Sequence, residues 1–73
     1  MTDMDSILSE VTGAADPVEV IRTHVLAQGG VWADETPISG LYEIQLAGLI
    51  GIGPSAPAAA EDWIMQARQR TAA

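Results

Sequence analysis

The chain has 73 residues, ten Asp and Glu against three Arg, and a formal charge of −7, a length that supports one small domain. With Arg22, Arg68 and Arg70 as its only cations, it cannot neutralise a run of phosphates, which argues against direct nucleic-acid binding and against attraction to anionic membranes. It contains no Cys, so disulfides, thiol nucleophiles and thiolate metal sites are excluded.

Residues 1–15 read as an N-terminal arm or short helix. Asp3 or Asp5 can cap a turn carrying Ile7, Leu8 and Val11, a stripe that ends at Gly13. A sharper start follows at Asp16-Pro17-Val18-Glu19. Asp at N-cap, Pro at N1 and Glu at N3 suit the orphan amides and the positive end of a helix dipole. Val18, Ile21 and Val25 then recur at helical spacing, Leu26 is expected to widen the stripe, and Gly29 and Gly30 supply the stop. These signals predict a helix over 17–28.

Val31-Trp32-Ala33 is expected as a short strand, followed by a polar bend at Asp34-Glu35-Thr36-Pro37. From Leu41 to Leu46 the pattern alternates with period two, placing Tyr42, Ile44 and Leu46 on one face. Ala47-Gly48 reads as the turn of a tight hairpin. The return strand 49–52 puts Ile50 and Ile52 on one face and Leu49 and Gly51 on the other. Gly51 and Gly53 weaken a strand but permit a helix to approach its backbone closely. Ser55 is a suitable N-cap, Pro57 fits a first turn, and Ala60, Trp63, Ile64 and Ala67 form an apolar face on a helix over 57–70. Arg68 and Arg70 complement its C-terminal dipole.

The expected fold is α+β, a small antiparallel sheet of two to three strands with helices packed on one face, in the order (α)-α-β-β-β-α. Residues 16–70 form the domain and 71–73 a C-terminal tail. The apolar fraction of 48% is that of a folded chain. Core material is nevertheless thin, with no Phe and only Trp32, Tyr42 and Trp63 as aromatics. A homodimer is therefore a candidate source of further stability. The acidic start carries no apolar leader, and the most apolar stretch, 41–60, is broken by Glu43, Gln45, Pro54 and Pro57. The expected location is the cytoplasm, with no membrane partner. The absence of Lys, Asn and Phe beside plentiful Ala and Gly suggests a GC-rich bacterial or phage genome.

No constellation of residues announces chemistry. His24, the single histidine, sits mid-helix with no partner fixed by spacing, so it reads as a helix-surface residue rather than a general base. Asp3-x-Asp5 lacks the Gly and distal Glu of a Ca²⁺ loop, and zinc would need more His or Cys. Gly51-Ile52-Gly53-Pro54-Ser55 resembles an anion-binding strand-to-helix corner, but Pro stands where a phosphate loop carries Lys. No cofactor, metal or catalytic residue is expected. The interaction candidates are Trp32, Asp34, Glu35, Glu43, Glu61 and Asp62. Trp63 reads as core, and core is the favoured reading of Trp32 as well; if exposed, Trp32 suits an interface.

Two segments resemble known families. Tyr42-Glu43-Ile44-Gln45-Leu46, then Gly53-Pro54-Ser55 and Ala58-Ala59-Ala60-Glu61, make residues 41–67 similar to the strand-then-helix tail of HicB-type antitoxin domains. The α-β-β-β-α order over 16–70, with its Gly-rich last strand, resembles double-stranded-RNA-binding domains. That family places Lys at the start of the last helix to hold phosphate. The corresponding Ser55-Ala56-Pro57-Ala58-Ala59-Ala60 has none, so the resemblance implies a fold without RNA binding.

The expected function is a small non-catalytic, acidic protein-binding or regulatory module. Its hairpin strands 41–46 and 49–52 are expected to offer an open edge to a partner, with helix 57–70 adding apolar contacts. The alternative is an acidic inhibitor that occupies a basic nucleic-acid-binding surface, as a nucleic-acid mimic of the anti-restriction or anti-CRISPR type does. Either way the partner is a protein, and in the second case a basic one.

Overall fold

A computed structural model describes residues 4–71. Its order is α1 (Met4–Gly13), α2 (Pro17–Gln28), β1 (Val31–Glu35), β2 (Tyr42–Leu46), β3 (Leu49–Gly53) and α3 (Ala56–Thr71). The three strands form one antiparallel sheet in the order β1-β2-β3, and the fold is α+β as expected. Residues 1–3, with the proposed Asp3 cap, and 72–73 of the expected tail lie outside the described residues. None of the described helices is long and apolar enough to cross a membrane.

α1 is folded onto the rest of the domain. Ile7 and Val11 are buried and Leu8 packs against the core, so the arm supplies apolar surface that the thin composition needs. α2 begins and ends as its signals predict. The Asp16 carboxylate accepts from the Glu19 amide at 3.3 Å, Pro17 is the first helical residue, and Gly29 takes the left-handed C-cap at φ 69°. Ile21 and Val25 are buried, whereas Leu26 is 61% exposed. Leu26 therefore does not widen the stripe. A step of one residue rotates about 100° around the helix, which carries Leu26 away from the core while Val20 packs against it.

β1 runs further than its composition suggests. Asp34 and Glu35, expected in a bend, pair with Glu43 and Tyr42 as strand residues. The ladder is restored after a register shift between Val31 and Asp34, where Ala33 adopts φ 53°. Hydrogen bonding to β2 thus overrides the low strand preference of two consecutive acids. The hairpin turn at Ala47-Gly48 has φ 52° and 80°, the double positive of a type I′ connection.

α3 lies across β3 at very short range. A Cβ on Gly51 would stand 2.3 Å from the Ala59 carbonyl oxygen, and one on Gly53 would stand 2.7 Å from the Ala58 carbonyl carbon. The Ser55 hydroxyl accepts the Ala58 amide at 3.2 Å to start the helix. Ala59, Ala60, Trp63, Ile64 and Ala67 then form its buried face against Ile44, Leu46 and Leu49. Trp63, fully buried, donates its indole N–H to the Leu46 carbonyl at 2.9 Å, which satisfies the one polar atom of its side chain.

Candidate interaction face

All three helices contribute to the core on one side of the sheet, and the alternation along the strands decides what the other side presents. On β3, Leu49, Gly51 and Gly53 are buried while Ile50 and Ile52 are each 45% exposed. Register then assembles the outer face. Asp34, Glu43 and Ile52 form one row across the three strands, and Val31, Gln45 and Ile50 form the next. With strands about 4.8 Å apart, each row spans about 10 Å. The result is a strip of two large aliphatics on β3 that grades into carboxylates on β2 and β1.

The electrostatics of this strip are unbalanced. Asp34 and Glu43 stand directly opposite each other on neighbouring strands, an arrangement that costs stability through like-charge repulsion. Among the described residues the arginine ion pair is Arg22 with Glu19, so no arginine neutralises either acid. Glu43 is half-buried and Asp34 exposed.

The edges of the sheet are less available than its face. β2 is the central strand and has no free edge. β3 is an edge strand, but α3 covers part of it. Asp62 accepts the Ile52 amide at 2.9 Å, and the Gln66 side chain donates to the Ile50 carbonyl at 2.7 Å and to Asp62 at 2.9 Å. Two side chains one helical turn apart therefore occupy backbone groups that an incoming strand would use. On β1 the register shift and the terminal acids Asp34 and Glu35 serve the same purpose. Of the two hairpin strands expected to offer an open edge, β2 is internal and β3 keeps an edge that Asp62 and Gln66 partly occupy.

The six candidate residues separate accordingly. Asp34 and Glu43 come together on the outer face. Glu35 pairs with Tyr42 and falls at the strand end on the helix side. Trp32 is half-buried and packs against the core. Asp62 is engaged with the β3 edge. Glu61 is exposed on α3, at the rim of a groove of about 520 Å³ between α3 and the α1–α2 junction. Ile50 and Ile52 were missed as site residues. Their facing was legible, because a two-residue turn at Ala47-Gly48 pairs Leu46 with Leu49 and places Ile50 and Ile52 on the side of Gln45 and Glu43.

His24 has a partner that spacing did not reveal. Its Nε2 meets the Glu10 carboxylate, linking α2 to α1 across fourteen residues of chain. The adjoining hollow also holds Asp16, Glu19 and Thr23. There Asp16 is the helix cap, Glu19 pairs with Arg22 at 3.3 Å, and the Thr23 hydroxyl donates to the Glu19 carbonyl at 2.9 Å. Among the described residues no group of three or more His, Cys, Asp or Glu is placed to hold a metal ion. No family model matches the chain, and no curated protein or solved structure gives a significant match.

Proposed function

We propose that this chain is a small, non-catalytic protein-binding module whose uncovered sheet face docks on a basic-rimmed apolar patch of a protein partner. The observation that carries the reading is the row Asp34–Glu43–Ile52 lying beside Val31–Gln45–Ile50. Ile50 and Ile52 gain by leaving water. The two carboxylates gain from a partner's Arg or Lys, which replaces repulsion with attraction and orients the encounter. A face of this kind favours a mixed apolar and ionic contact over imitation of a nucleic-acid backbone, which would be anionic throughout. Direct nucleic-acid binding is disfavoured by the same residues and by the cation-free start of α3 at Ser55.

The test is a comparison of captures from a lysate of the source organism. Wild type, Ile50→Ser/Ile52→Ser and Asp34→Lys/Glu43→Lys chains serve as bait, each first shown to be folded by circular dichroism. A protein retained by wild type and lost with both face variants supports the reading. Its affinity, measured with purified partner, should fall about tenfold or more with the serine pair and weaken with rising salt. A partner retained equally by all three baits contradicts it, and binding abolished by salt yet indifferent to the serine pair favours the acidic-inhibitor alternative.

A further inference from the structure

The groove beside α3 has a symmetry that the sheet face lacks. Its apolar walls are Val11 and Val18 on one side and Ile64 and Met65 on the other, with Glu61 and Arg68 along the same length of α3. Met65 is 55% exposed there although it is among the larger apolar side chains of the domain. Glu61 and Arg68 are seven residues apart, two helical turns and about 10.5 Å along the axis. Their midpoint falls between Ile64 and Met65.

From this we infer that the groove is the docking site of a second copy of the same chain, with the two α3 helices antiparallel. A two-fold axis through the Ile64–Met65 midpoint brings Glu61 of each copy opposite Arg68 of the other. The same pair forms twice, as an isologous contact requires. Met65 of each copy then enters the apolar groove of its neighbour. Antiparallel alignment also sets the opposite ends of the two helix dipoles against each other.

Charge distribution narrows the choice of occupant. Each copy carries −7, so two copies repel over most of their surface. Of the three cations, Arg22 is engaged with Glu19 and the other two, Arg68 and Arg70, lie on the last turns of α3. This end of α3 is where one copy offers positive charge to the acid of another. The outer sheet face carries Asp34 and Glu43 but no cation, so it offers a second copy no ionic complement. The inference does not rest on the sheet-face reading, and a dimer through α3 leaves that face free in both copies.

Sedimentation velocity over a concentration series tests it through charge reversal. Wild type is expected to dimerise, and Glu61→Arg and Arg68→Glu, alone, to weaken the dimer about tenfold or more by turning both pairs repulsive. Mixing those two single variants is expected to restore association. One copy then holds two arginines and the other two glutamates, so both contacts become attractive. The double variant Glu61→Arg/Arg68→Glu is expected to dimerise like wild type. A wild type that stays monomeric at about 1 mM, where even a dissociation energy of about 4 kcal/mol would show, overturns the inference. So does a dimer indifferent to the single reversals, or single variants that remain monomeric when mixed.

Discussion

The two faces of β3 reverse the usual distribution of side chains. Towards the helices the strand offers Leu49, Gly51 and Gly53, and towards the outside it offers Ile50 and Ile52. A strand covered on one side ordinarily places its large apolar residues inward and polar ones outward. Here the inward positions are small because a helix backbone occupies the space, with the Ala59 carbonyl only 2.3 Å from where a Gly51 Cβ would stand. The outward positions are large and stay 45% exposed. Packing accounts for the first choice. It gives no account of the second, which is why the outer face is read as a surface made for contact.

Substitutions at alternate positions should separate the two faces, beginning with the largest effect. Gly51→Ala forces a methyl into the helix backbone and should destabilise the fold by about 3 kcal/mol in urea unfolding, while Ile50→Ser one residue away should cost about 1 kcal/mol. Asp62→Ala removes the acceptor of the Ile52 amide and the anchor of Gln66. It should cost about 1 kcal/mol and expose the β3 edge, visible as concentration-dependent aggregation in light scattering. Ala47→Asn places a residue tolerant of positive φ in the type I′ turn and should raise stability by about 0.5–1 kcal/mol, read as a higher Tm. Smallest, Glu43→Gln relieves the repulsion with Asp34 and should stabilise the isolated domain by a few tenths of a kcal/mol while weakening partner binding. That opposition of stability and binding would mark Glu43 as kept for contact rather than for folding.

Much of the fold was legible because its signals are local. The Asp16-Pro17 start, the Gly29 stop, the Ala47-Gly48 turn and the Ser55 cap act within a few residues, and each is found where its chemistry demands. The close approach at Gly51 and Gly53 was legible for the same reason, since only a missing side chain admits a helix backbone there. What escaped depends on contacts between distant segments. Asp34 and Glu35 become strand residues because β2 is available to pair with them. Asp62 reads as an exposed helix acid until β3 is placed beneath it. His24 and Glu10 meet only because α1 packs beside α2. The candidate face was the exception: the Ala47-Gly48 turn sets Ile50 and Ile52 beside Gln45 and Glu43, whereas its third strand, with Asp34 beside Glu43, depends on the β1 register shift.

Isoleucine side chains report on the core, the α3 groove and the outer sheet face in a single experiment. Ile7, Ile21 and Ile44 are fully buried, Ile64 lines the α3 groove, and Ile50 and Ile52 stand on the outer sheet face. The most direct test is therefore methyl NMR of an isoleucine-labelled chain titrated with its captured partner at fixed concentration of the labelled protein. The Ile50 and Ile52 methyl signals are expected to shift or broaden first and most, with Ile7, Ile21 and Ile44 little changed. A partner that perturbs Ile64 while leaving Ile50 and Ile52 untouched would contradict the sheet-face reading.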